Sequence, residues 1–314
     1  MIRSLLRTTG RRLLGPSVFD SLVQFRRRPV RGPLGASDER ARWVFVEPHY
    51  DDVAFSCGGM LAAVVRRGMP AEVLTVFTAD PAPTAPLSPL AEAVHAEWGA
   101  GERPYEQRRR EAGHMGTLLS LEQTTLDLPE ALYRMPHLTS IDEVMRPQHA
   151  PGEDPSFAVV REALEEALGH DEALTVVVPL GVGGHLDHLL VHAAIRALAA
   201  DRPMWRVWYY EDFPYALDIP ALKERVQALG AAFRPATVDI ADTLDARVRL
   251  SAVYTSQVRA IFGTPDQLRS AISGYAGRVG TPRHPRERVW TVQGRGENGR
   301  HQGDPEATSR DTKR

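Results

Sequence analysis

The amino-acid sequence predicts an α/β protein, a single Rossmann-like three-layer sandwich built on a mostly parallel sheet. Three observations carry that expectation. Short apolar runs of strand length alternate with longer stretches of helical periodicity. The first strand–loop–helix–strand unit closes within about forty residues, the opening of a parallel sheet. No linker-like stretch divides the strand-forming segments, which favours one sheet over two domains.

The elements follow in order. Residues 43–46 are a short apolar β-type run that ends at once in a polar cluster, residues 47–52. Cys57-Gly58-Gly59 opens an apolar helical stretch to about Arg67, closed by Gly68 and Pro70. Residues 72–78 read as a second buried strand. Pro81, Pro83, Pro86 and Pro89 make residues 80–90 a loop over the strand ends. A helix is expected over 105–119 and a third strand over 124–128, followed by an irregular, Pro-rich insertion at 129–155. Beyond it come a helix at 157–168, a central buried strand at 174–178, a helix at 189–200 and a strand at 205–210. The pattern ends with a helix at 221–229, a strand at 236–240 and one long helix over 244–262. There is no internal repeat.

Composition bounds the function classes. The chain has 314 residues, 43% hydrophobic and 25% charged, with a formal net charge of −2. That balance is ordinary for a globular protein and gives no electrostatic reason to expect a nucleic-acid partner. Cys57 is the sole cysteine. An intrachain disulfide and a thiolate zinc cluster are therefore excluded, and a reducing, cytoplasmic setting is expected. No apolar run reaches the roughly 20 residues that span a bilayer. Residues 1–40 form a basic N-terminal arm. Within its first 37 positions eight arginines face one acid, Asp20. Such a segment suits peripheral contact with anionic lipid as well as a solvated arm. Residues 294–314 are polar and Gly-rich, and disorder is expected there.

Two clusters carry the chemistry. His49-Tyr50-Asp51-Asp52 directly follows the first strand, and Gly183-Gly184-His185-Leu186-Asp187-His188 follows the central strand and opens a helix. Ligands of open α/β sheets bind beyond the carboxyl ends of the strands, so both clusters belong to one rim. Imidazoles and carboxylates converging there suit a divalent metal. A catalytic zinc takes three protein ligands and keeps a position open, so six candidate groups leave some for acid–base and orienting work. Each cluster alone also reads as a helix N-cap with bystander histidines.

The two motifs resemble the signatures of the LmbE/PIG-L family of zinc-dependent N-deacetylases, His-Pro-Asp-Asp-Glu and His-x-Asp-His. Here they read His49-Tyr50-Asp51-Asp52-Val53 and His185-Leu186-Asp187-His188. The departures at Tyr50 and Val53 spare every position with chemistry. Further likeness runs through Gly58-Gly59, Arg109-Arg110-Glu111, the segment 128–134, the segment 211–215, Tyr254-Thr255-Ser256-Gln257 and Glu287-Arg288-Val289-Trp290. The resemblance makes 41–293 the deacetylase-like domain. It implies that His49, Asp52 and His188 hold Zn2+ or another divalent metal, with Asp51 as general base. It also implies that His185 meets the oxyanion or donates a proton, and that Asp187 orients His185 and keeps it cationic. Some members of the family carry a tyrosine where this chain has Gly183.

The expected reaction is attack of metal-activated water on the amide carbonyl of a small N-acylated molecule, an acetylated amino sugar or glycosylated secondary metabolite. Arg134, Tyr50, Glu211 and Asp212 are the candidate substrate contacts. A helix face is expected for Arg109, Arg110 and Glu111, and helix packing for His192. Competing readings are an amidase acting on a larger acyl or thiol conjugate, and a non-catalytic metal-binding scaffold. A nucleotide-binding module is disfavoured because residues 47–52 contain no glycine. Oligomeric state is not legible in the sequence.

Overall fold

A computed structural model arranges the strands as one seven-stranded sheet of order β3-β2-β1-β4-β5-β7-β6. It describes residues 30, 32–36, 41–82, 86–98, 104–169 and 173–292. β1 (Arg42–Glu47), β2 (Ala71–Phe77), β3 (Glu122–Leu128), β4 (Leu174–Pro179) and β5 (Arg206–Tyr210) are parallel. β6 (Phe233–Asp239) and β7 (Arg286–Val292) extend the sheet antiparallel beyond β5.

Residues 43–46 and 174–178 are buried at every position. Successive side chains of a strand point to opposite faces, so both faces of the sheet are covered and the sandwich has three layers. Helix Leu186–Ala200 packs on β4 beside helix Phe157–Leu168, and helix Asp52–Arg66 packs against helix Leu244–Ala252. The strand order reverses between β1 and β4. That is the topological switch point where a crevice opens at the carboxyl ends of an α/β sheet.

Several boundaries differ from the sequence reading, each for a physical reason. The loop after β2 gives way to helix Pro89–Trp98, because the Ser88 hydroxyl accepts the amide of Ala91 and proline suits the first helical position. The single helix expected over 244–262 is two, Leu244–Ala252 and Thr255–Ile261. The carboxylate of Glu111, from helix Pro104–Leu119, accepts the Ser256 amide at 2.9 Å and both the Thr255 and Ser256 hydroxyls. It thereby caps a new helix start. A further helix, Pro265–Val279, and strand β7 went unread.

The interior of β7 explains the conflict. Glu287, 1% exposed, turns inward and accepts the amides of Gly59 and Met60 at 2.9 and 2.8 Å. Helix Asp52–Arg66 is broken at Cys57, and these are the donors that the break leaves over. Arg247, fully buried, lies 3.2 Å from Glu287 and donates to the Phe55 carbonyl. A Cβ on Gly59 would stand 2.7 Å from the Glu287 oxygen, so only glycine admits this contact.

The near end of the basic arm packs on the sheet edge: Val30 donates to the Pro235 carbonyl at 3.0 Å, and Pro33–Ala36 forms one helical turn. The rest of the arm and the tail 294–314 lie outside the described residues. Among the described residues no helix is long and apolar enough to cross a membrane.

Candidate metal centre and active site

β1 ends in Glu47, whose buried carboxylate takes the Thr75 hydroxyl at 2.8 Å and the Val53 amide at 2.9 Å. The turn carrying residues 48–52 is thus fixed to the sheet and to the start of its helix. Across the switch point, β4 runs through a glycine-bearing turn into helix Leu186–Ala200. Both motifs meet there. The ring centroids of His49, His185 and His188 lie 5.1 to 5.4 Å apart.

His49, Asp52 and His188 each offer a ligand atom within 4.8 Å of the others. Asp52 Oδ2 is 3.3 Å from His49 Nδ1 and 3.5 Å from His188 Nε2. The opposite nitrogens face carboxylates. His188 Nδ1 donates to Asp212 Oδ1 at 2.7 Å, and His49 Nε2 donates to Asp187 Oδ2 at 3.0 Å. Such carboxylate partners fix the tautomers and turn one free nitrogen of each ring toward Asp52. A second grouping, His49, His185 and Asp187, suits a metal less well. Its His49–Asp187 pair is already bonded, and His185 Nδ1 accepts the Asp187 amide at 3.2 Å. One carboxylate oxygen and two neutral imidazoles form a donor set suited to zinc and similar divalent ions.

The charges fit this arrangement. Asp52 is buried, yet the neighbouring His188 and His49 hold it well below the usual carboxylate range. Burial works against protonation of His49, but Asp187 and Asp52 raise it to about 10 in the metal-free site. Asp51, 5% exposed, is pushed up by burial against the pull of Arg108, whose guanidinium lies 2.9 Å from Asp51 Oδ1.

The remaining predicted residues are redistributed. The Asp187 carboxylate addresses His49, the Ala131 amide at 3.0 Å and Arg134 at 2.7 Å, and meets His185 only through its backbone N–H. Burial pushes His185 down to about 3. In the metal-free site burial thus disfavours the cationic His185 that the resemblance implied, and with Nδ1 accepting the Asp187 amide the ring proton belongs on Nε2. Arg134 is corrected from a substrate grip to a structural tie. Its side chain is 12% exposed, bonded to Asp187 and the Pro129 carbonyl, and lies over the Phe77 ring.

Glu211 sits in the core, bound to the Tyr275 hydroxyl and the Trp290 indole, far from a substrate role. Asp212 is 1% exposed behind His188, its second oxygen taking the Gly181 and Val182 amides at 2.7 Å. The Tyr50 ring is buried against Tyr105 and does not line the cavity. His192 is buried, donating to the Pro179 carbonyl, as helix packing requires.

Sequence reasoning missed Arg108, Glu130 and Tyr215. Glu130 Oε2 lies 3.5 Å from His49 Nε2, and its place within the 128–134 likeness was the available signal. Arg108 is the buried neighbour of the two arginines that were considered; Arg109 turns instead to Asp80 and the Thr78 carbonyl. Tyr215 fills the space that Gly183 leaves open. A Cβ at Gly183 would stand 2.9 Å from the Tyr215 ring, which meets the His188 ring edge-on at 6.0 Å.

The chain is similar to known proteins along most of its length. Residues 44–199 match the PIG-L family, described as GlcNAc-PI de-N-acetylase. A 2'-N-acetylparomamine deacetylase of Streptomyces fradiae is 36% identical over 270 residues, covering 80% of this chain and 90% of the relative. Two solved structures share the fold at 22% identity and a TM-score of 0.62. The A40926 pseudoaglycone deacetylase covers 81% of this chain and 97% of its own, and a zinc-inhibited form of teicoplanin deacetylase covers 82% and 100%.

Proposed function

The chain belongs to the PIG-L family, and from that premise we propose that it is a metal-dependent amide hydrolase removing an N-acetyl group from an amino sugar or glycosylated small molecule. The observation that carries this reading is the pairing of three ligand atoms from His49, Asp52 and His188 with a separate buried carboxylate, Asp51, in the same cavity. A scaffold that merely stored a metal would have no use for the fourth group. The 36%-identical relative is a 2'-N-acetylparomamine deacetylase, which supports an N-acetylated small molecule as substrate.

His49, Asp52 and His188 would hold the ion, zinc or another divalent metal. Bound there, it would supply Lewis acidity, lowering the pKa of water and polarising the amide carbonyl. Asp51 acts as general base. Arg108 occupies its Oδ1, which leaves Oδ2 to accept the proton of the attacking water. His185, neutral and protonated on Nε2, donates a hydrogen bond to the carbonyl oxygen as negative charge develops on it. With His185 uncharged, Asp51 is the group that returns a proton to the departing amine. Asp187 and Asp212 hold the two ligand imidazoles in orientation.

The test joins metal analysis of the purified protein to an amine-release screen over N-acetylated sugars, glycoconjugates and amino-acid derivatives. Stoichiometric zinc with amine released from an N-acetylated amino sugar is expected. Bound zinc with no amine from any substrate would instead favour the scaffold reading.

A further inference from the structure

The cavity beside the cluster of His49, Asp52 and His188 holds about 110 Å³ of water-accessible space, and residues well beyond the two motifs line it. Its lining is of two chemical kinds. Besides imidazoles and carboxylates it includes the aliphatic side chains of Val94, Leu132, Ile141, Val144, Met145 and Ile261. Helix Pro89–Trp98, which supplies Val94, touches both Ala131–Arg134, which supplies Leu132, and Thr255–Ile261, which supplies Ile261. Of the polar groups nearby, the Arg108 guanidinium is bonded to Asp51 and the His188 Nδ1 to Asp212. Sugar hydroxyls pressed against a wall of these aliphatic side chains would lose water and gain no partner. Apolar surface pressed there would gain free energy in proportion to the area buried.

We infer that the aliphatic wall is a subsite for an apolar substituent of the substrate, aliphatic or aromatic, within reach of the scissile amide. This rests on the hydrolase reading above. The substituent belongs either to the acyl group or to the aglycone of the amine, and both present the same chemistry to the wall.

Two series separate these sources. One keeps the amine and lengthens the acyl group: N-acetyl-, N-butanoyl- and N-hexanoylglucosamine. The other keeps the acetyl and lengthens the aglycone: methyl, butyl and hexyl β-glycosides of N-acetylglucosamine. Amine release is measured with the zinc-loaded enzyme, and affinity for each compound by calorimetry. At about fourfold per fully buried methylene, kcat/KM or affinity is expected to rise about tenfold or more along one series, which identifies the source. Val144→Asn and Ile261→Asn, each checked for folding by circular dichroism, should flatten that rise.

Flat or falling values along both series would overturn the subsite, as would a rise undiminished in both folded variants. If no compound releases amine, the hydrolase reading fails, while the affinities still decide whether the wall binds apolar groups.

Discussion

Nδ1 of His188 donates to Oδ1 of Asp212 at 2.7 Å, while the other Asp212 oxygen takes the amides of Gly181 and Val182, so one carboxylate fixes both the His188 ring and the turn leading to it. Partners of this kind set ligand orientation and basicity. Asp212→Ala is expected to weaken zinc binding about 10–100-fold, read by competition with a chelator. Unchanged affinity would show that the ring orients itself.

Asp51 stands apart from the three ligand atoms and shares its Oδ1 with Arg108. Asp51→Asn is expected to retain stoichiometric metal and to lose about 10²–10⁴-fold in kcat, the usual worth of a general base. Metal content and turnover measured on the same preparation check this. A fully active variant would remove Asp51 from the role.

Gly183 adopts a φ of +87°, and the Tyr215 ring occupies the space a side chain would need. Gly183→Ala should cost about 1–3 kcal/mol from backbone strain and the ring contact. In the Gly183→Ala/Tyr215→Ala double variant, the ring part of that penalty should disappear. Denaturant midpoints of the single and double variants give the coupling.

Acid should destabilise the metal-free protein through specific groups. Asp52 and Asp187 are held below their ordinary range, so their contribution is present above about pH 4, the unfolded value, and is lost as pH falls below it. His185, pushed down to about 3, acts in the same sense from about pH 6.5 downward, because the unfolded chain takes the proton first. Asp51 and Glu130, raised by burial, work oppositely on the acid side. His49, raised to about 10, contributes fully below about pH 6.5 and loses that contribution as pH climbs through 10. Removing the Asp187 charge by Asp187→Asn should make the acid limb of stability against pH shallower. An unchanged acid slope in chemical denaturation would contradict this assignment.

The sheet and the two histidine-bearing motifs were legible because both follow from local pattern. Buried parallel strands are continuous apolar runs, and site residues cluster where such runs end. β7 was not legible. Its sequence mixes Glu287 and Arg288 with Val289 and Trp290, and Glu287 faces inward to meet amides more than two hundred residues away. The break between the helices Leu244–Ala252 and Thr255–Ile261 depends likewise on the Glu111 carboxylate from a distant helix. Glu211 and Asp212 read as one acidic pair after a strand. Just past the end of β5, one turns to the core around Trp290 and the other to His188. What local pattern cannot supply is the partner each carboxylate finds.

The Asp187 carboxylate does more than steady His49. Through the Ala131 amide and Arg134 it also anchors the segment that supplies Leu132 to the cavity wall. The orientation of His49 and the position of the wall therefore draw on the same two oxygen atoms. A molecule that shifts the 130–134 segment on docking alters the orientation of His49, and thermodynamic reciprocity requires metal loading to alter the docking of that molecule by the same factor.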